Sequence, residues 1–428
     1  TSDMSDGTNE VYYALFQNDQ GQKLYQYAYN PELPLKPEKE LTVYTLYDQA
    51  TINQAATLFQ KKHPDTMVSV HVACADTDDK EAETQRNRLM TSLAAGDGED
   101  VIVLSGLDDN ALAKKGVLMD LSDIVTPMEE NGELLQAIVD GEKAADGKQQ
   151  ILPVRFALPL LLSKEKRASE MTDLAALAKA AEQTDGSLLG TFTGEDLVET
   201  FAPYFMPDII KDKQLDTEKL RTVLQELQTI AAHCDMVEKY KKGERASNEW
   251  DLPSAMQAVL CQISGFNDAM FDLAIINLVK GDYTSFENAY IPTVEIGVNA
   301  NTKQADLAKE FAAFVMSREV QDGDFYDGFP VNKESLHMQV SLDRSDYAAY
   351  TTIEGADGQE IGLDIEPIKA ADADKLEALC DSLSKKTVKD AKVLEELKKS
   401  VPDYLLGRQS LDDTISKIQD GVKIYLAE

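Results

Sequence analysis

Apolar positions change period along this chain in a way that separates strands from helices. Leu89, Met90, Leu93 and Ala94 share one helical stripe. Gly96-Asp97-Gly98 follows and supplies residues that accept positive φ and stop the helix. Residues 101–104 (VIVL) are then apolar at every position, which predicts a strand covered on both faces. Upstream, 41–46 (LTVYTL) and 67–73 (MVSVHVA) read as two more strands. Between them Ile52, Ala55, Ala56 and Phe59 form a helical face that Pro64 ends. The order β-α-β-α-β predicts a parallel sheet with right-handed crossovers. Ligands of such sheets lie beyond the carboxyl ends of the strands, which puts Tyr47, Asp48 and the loop 105–110 on a rim.

Elsewhere the pattern is less regular. Aromatic-rich runs at 11–16 and 23–29 flank an Asn/Asp/Gly turn and predict a β-hairpin after a frayed start at 1–10. Pro31, Pro34 and Pro37 then make a stiff connector. Pro153 and Pro159 interrupt the apolar segment 151–162, which argues for edge or crossing strands there. Pro153-Val154 is read as a first crossing between two lobes and Tyr290-Ile291-Pro292 as the return. Helical stripes recur at 217–234, at Leu307 to Val315 and at Leu411 to Tyr425. Gly355, Gly358 and Gly362 mark a loop or hairpin within 341–366. From Asp372 the chain is expected to be helical, broken at Pro402 and Gly407, with Ser410 and Asp413 as a capping pair.

Length and composition narrow the function. A chain of 428 residues exceeds one small core, and 43% hydrophobic with 28% charged residues is a globular balance. A net charge of −34 argues against nucleic acid, whose phosphates require clustered Lys and Arg. Cys74, Cys234, Cys261 and Cys380 lack metal spacing and are expected to be buried thiols. No apolar run reaches about 20 residues and no secretory signal peptide is present in the chain, so Thr1 is expected to be a processed or engineered start.

Catalytic signatures are missing. HExxH, GxxxxGK[ST] and GxSxG do not occur. Gly96-Asp97-Gly98 ends a helix and precedes a strand, the reverse of a dinucleotide fingerprint. His63, His71, His233 and His337 do not pair at ligand spacing. Asp76, Asp78 and Asp79 lack the glycine and distal Glu of a calcium loop. With 76 acidic residues, no pair of glycosidase carboxylates can be singled out. Neither a metal nor a cofactor is expected.

Several segments, in order, resemble the extracellular solute-binding proteins of ABC importers, a group with many sugar binders. They are the first strand and helix (41–59), LAAGDGEDVIVLSG (93–106), ILPVRF (151–156) and TVEIGVNANTKQADLAKEFAAFVMSREVQ (293–321). GFPVNKESL (328–336) is the most specific, and LLGRQSLDDTISKIQDGVKIYL resembles the family's last helix. The resemblance implies an α/β, two-lobed, periplasmic-binding-protein-like (type II) fold with an N-terminal β appendage and C-terminal helices. Its expected divisions are an appendage at 1–40, lobe 1 at 41–153 plus about 293–330, lobe 2 at 154–292, and a mainly helical region at 331–428 on the lobes.

Solute would be trapped as the lobes close and passed to the transmembrane subunits of an ABC permease. A monomer is expected, extracellular and lipid-anchored as in Gram-positive bacteria, although the anchor cysteine is not in this chain. From position at lobe edges, the ligand contacts are Tyr47, Asp48, Asp108, Arg155, Phe156, Trp250, Asn267 and Tyr290. Their aromatic faces and bidentate polar groups suit a sugar. Two other readings stay open: a sensor module of a larger surface protein, and a glycosidase on the same architecture.

Overall fold

The computed structural model describes residues 11–18, 21–28, 37–75, 79–211, 213–254, 256–342, 344, 347, 349–355 and 358–427. The start at 1–10, Tyr29, Pro31, Pro34 and the aspartates 76 and 78 of the acidic loop lie outside them.

The appendage is an antiparallel hairpin of β1 (Val11–Asn18) and β2 (Gly21–Ala28). The first lobe then follows the alternation read from sequence. It runs β3 (Lys39–Thr45), α1 (Ala50–Lys62), β4 (Thr66–Val72), α2 (Asp79–Ala94) and β5 (Val101–Val103), with β3 parallel to both β4 and β5. All of β5 is buried because α1 covers one face and α2 the other. Gly96 and Gly98 take φ of +80° and +118°, so the turn between α2 and β5 needs residues without a Cβ. Short helices complete this part, among them α3 (Asp109–Lys114), one at Ser122–Glu130, and α4 (Gln136–Gly141).

Two long strands organise the rest. β6 (Leu152–Ser163) is buried along its whole length and sits centrally. Helices α5 (Leu174–Ala181), α6 (Gly194–Ile209) and α7 (Thr217–Ala232) come next. After them are β7 (Ala258–Ile263), α8 (Phe266–Val279), β8 (Asp282–Ser285) and β9 (Ala289–Val298). The amino half of β6 pairs with β9 and the carboxyl half with β7 and β8, all antiparallel; β9 in turn joins β5. One sheet therefore runs through both lobes.

The central place of β6 corrects the edge assignment drawn from its prolines. Pro153 faces Glu295 at a register shift in β9, and Pro159 lies just past the last pair with β8, where its carbonyl accepts from the Phe286 amide at 3.1 Å. Pro153 thus sits where a ladder is already interrupted, which is where a missing N–H is tolerated, whereas Pro159 stays paired with Gln262 of β7 and lies beyond the β8 ladder only.

The chain continues through α9 (Ala305–Val315), β10 (Phe329–Pro330), β11 (Lys385–Lys386), α10 (Ala391–Leu405) and α11 (Leu411–Ala427). The glycine-marked stretch is a hairpin of Ala349–Glu354 with Glu360–Ile365. Pro402 does not break α10, again against expectation. It lies in the last turn, where only one backbone bond is lost, and a Cβ on Gly194 of α6 would meet its Cβ at 2.7 Å. The Ser410 hydroxyl accepts from the Asp413 amide at 3.1 Å, the predicted cap.

A separate apolar core joins α5, α6 and α7 to α10 and α11, while α1, β3, β5, β6, α8 and β9 share another. No disulfide joins the cysteines among the described residues; Cys74 and Cys380 are buried, Cys234 and Cys261 half-buried. Among the described residues, no helix is long and apolar enough to cross a membrane.

Candidate ligand-binding cleft

The rim at the carboxyl ends of β3 and β5 is built by local chemistry. Gly106 takes φ +78°, and a Cβ there would come within 3.1 Å of Leu46 and 3.4 Å of the Tyr47 ring. Its carbonyl accepts from Arg86 Nε at 2.7 Å, which ties the loop to α2. Tyr47 is half-buried against this loop; Asp48 is exposed and accepts from Asn53 Nδ2 at 2.8 Å.

Asp108 belongs to a cap, because α3 begins at Asp109, inside the stretch 105–110 that reads as a loop. Its Oδ1 accepts from the Ala111 amide at 2.8 Å. Desolvation raises its carboxyl above the ordinary range, and the charges of Asp109 and Asp390 add to that while the Ala111 amide opposes it.

Across from this rim stands the other lobe. Asp390 caps α10, with Oδ1 accepting from the amides of Lys392 (3.0 Å) and Val393 (2.9 Å). Its Oδ2 accepts from the Tyr425 hydroxyl of α11 at 2.8 Å. The charge of Asp390 adds to the rise of the Asp108 carboxyl, and burial, then the bond to Asp390, raise the Tyr425 hydroxyl. Beside them Lys386 of β11 reaches Asp109, Glu142 and Glu295. The first lobe's α3 and the helical lobe's β11, α10 and α11 thus meet over one polar patch.

The matching family is decided on sequence. The model of the bacterial extracellular solute-binding protein family matches residues 45–322, about two thirds of the chain. The chain belongs to that family. No curated protein matches this solute-binding protein by sequence. Solved structures match its fold. The sugar-binding protein MalE from Xanthomonas citri aligns at TM-score 0.62 and 14% identity, over 91% of this chain and 97% of its own. A sugar transporter from Rhizobium etli in an open conformation aligns at 0.59 and 15%, over 90% and 99%. An ABC substrate-binding protein of Listeria monocytogenes in complex with cycloalternan aligns at 0.55 and 14%, over 91% and 99%.

Within this solute-binding protein the eight residues picked from sequence fall into two groups. Tyr47, Asp48, Asp108, Trp250 and Asn267 keep accessible surface. Trp250 sits in a 3-10 turn held by a capping box between Asn248 and Asp251, its ring 6.2 Å from Phe271. Asn267 lies in the first turn of α8.

Arg155, Phe156 and Tyr290 are instead sealed at 0% exposure, so none reaches a wall in this conformation. Arg155 is a strut. Its Nε donates to Thr51 Oγ1 (3.1 Å), and its Nη2 to the carbonyls of Val320 (3.1 Å) and Gly323 (3.0 Å). Burial lowers its pKa to about 10, and Asp327, Asp324 and Asp322 oppose that fall. The Phe156 ring lies tilted against that of Phe329 at 5.8 Å, and the Tyr290 hydroxyl donates to the Ile138 carbonyl at 3.2 Å.

Sequence reasoning did not find Lys386, Glu142, Glu295, Asp390 or Tyr425. Two carried a signal: Glu295 is a lone carboxylate inside the apolar strand segment TVEIGV, and Asp390 precedes the amphipathic run AKVLEELKK in the manner of an N-cap.

Proposed function

We propose that this solute-binding protein captures a small polar solute, an oligosaccharide first among the candidates, between its lobes and delivers it to an ABC permease. The observation that carries this reading is the polar rim at the carboxyl ends of β3 and β5, where Gly106 turns beside Tyr47 and Asp108 caps α3, in a two-lobed chain of the solute-binding family. A ligand touching both sides stabilises the closed form over the open one, which is how hinge proteins trap solute. The sugar preference draws on relatives of the same fold, among them a maltose/maltodextrin-binding domain from Bdellovibrio bacteriovorus bound to maltotriose and the cycloalternan complex. The proposal includes lobe limits near 153 and 293, solute contacts from Tyr47, Asp48, Asp108, Trp250 and Asn267, and a lipid-anchored monomer.

A thermal-stability screen over mono- and oligosaccharides, amino acids, peptides and polyamines tests it. A true solute at 100 times its Kd stabilises the fold by about 2.7 kcal/mol. Stabilisation by oligosaccharides alone supports the reading, and stabilisation by none of the classes refutes it. One observation favours a second reading, a module of a larger surface protein: Tyr13, Leu15 and Leu24 of the β1–β2 hairpin are at least 60% exposed. Lone two-stranded hairpins are marginal in water, so such a face suits packing on a further β-structure.

A further inference from the structure

Lys386 stands in a cage of carboxylates drawn from distant parts of the chain. Its Nζ lies 3.0 Å from Asp109 at the start of α3, 3.0 Å from Glu295 in β9, and in contact with Glu142 at the end of α4. The three acids bring oxygens within 4.8 Å of one another. Glu142 and Glu295 are almost wholly buried side chains, and Lys386 and Asp109 are only 15% and 17% exposed. Burial, then the charge of Glu295, hold the Glu142 carboxyl well above the usual carboxylate range, while the Lys386 ammonium opposes that rise. The Tyr290 hydroxyl lies 3.4 Å from Glu142 and closes the cage.

The backbones that carry these groups belong to different bodies. Lys386 pairs in register with Tyr290 at the amino end of β9; two residues later the Val388 amide donates to the Pro203 carbonyl of α6, and Asp390 caps α10. Its strand therefore continues into the helical lobe. Asp109 and Glu142 are fixed to the first lobe, through α3 and through α4 with its buried Ile138 and Val139.

We propose that Lys386, with Asp109, Glu142 and Glu295, is an ionic clasp that holds the two lobes together in the absence of solute. A hydrophobic contact here would be hard to part in water. A buried ion pair suits a reversible latch better, because the desolvation its charges suffer offsets much of their attraction. The clasp pre-sets the closed population on which solute acts, and so tunes apparent affinity without touching the solute. The inference rests on the two-lobed hinge reading but not on any solute, so its test needs none.

Solution scattering on the full, unliganded chain compares wild type with Lys386→Met and Asp109→Asn. Removing the ammonium leaves the carboxylates without their counter-charge; Lys386→Met is expected to raise the radius of gyration, and Asp109→Asn to raise it less. A folded Lys386→Met protein with wild-type dimensions overturns the clasp. Should Lys386→Met not fold, Asp109→Asn decides: expansion supports the clasp and unchanged dimensions overturn it. Failure to bind any solute together with expansion of these variants would refute the proposed function and leave the clasp standing.

Discussion

Asp272 makes the stability of this protein depend on pH in a direction opposite to that of most carboxylates. It sits in α8, 6% exposed, in a stretch where Ala269, Met270, Leu273, Ala274, Ile275 and Ile276 are also buried. Burial, then the charges of Glu249 and Asp268, raise its pKa from 3.8 to about 8. The folded chain therefore keeps this proton up to about pH 8, while the unfolded chain releases it near pH 4. Between those limits the unfolded state binds fewer protons, so stability falls as pH rises. Counting about 1.4 kcal/mol per pH unit, the group withdraws about 4 kcal/mol between pH 5 and pH 8. Asp272→Asn keeps the shape of the neutral acid and has nothing to titrate. Urea unfolding of both proteins from pH 5 to pH 8 at fixed ionic strength isolates the effect. The variant's advantage is expected to grow with pH by about 4 kcal/mol over that span. A wild-type-to-variant difference that stays flat would refute the assignment of a buried, protonated Asp272.

Three further outcomes follow from the geometry. Gly328→Ala would place a Cβ 2.3 Å from Thr293 Oγ1 and 2.9 Å from the Phe156 carbonyl at φ +138°, and a cost of about 3 kcal/mol is expected in urea unfolding. Arg155→Met removes the donor to Thr51, Val320 and Gly323, and is expected to cost about 3–5 kcal/mol and to speed amide exchange over 320–327. Asp108→Ala removes the α3 cap, worth about 1 kcal/mol, and is expected to weaken solute binding roughly tenfold in titration calorimetry.

What sequence could reveal here depended on how local the cause was. The turn Gly96-Asp97-Gly98 and the strand after it are set by neighbouring residues, and both hairpins likewise follow from alternation and turn chemistry. Pro153 and Pro159 misled because a proline's tolerance depends on what its partner strands do, and the bulge in β9 is 140 residues away in the chain. Pro402 misled for a similar reason, since Gly194 makes room for it. The polar patch was less legible still. Lys386 meets Glu295, Glu142 and Asp109 across 91, 244 and 277 residues, and in sequence it is one of two adjacent lysines that read as a solvated surface. Arg155 looked like a ligand contact because a polar residue beside a crossing is often exposed; here the 320–327 segment folds over it.

The family assignment fixes a binding role, and the decisive question is whether a sugar enters between the lobes. Calorimetric titration of the full chain with maltotriose and with cycloalternan asks it directly. Saturable binding of one sugar per chain, weakened by Asp108→Ala and by Trp250→Ala, is the predicted result. The absence of saturable heat with either sugar, or binding that both variants leave unchanged, would contradict it.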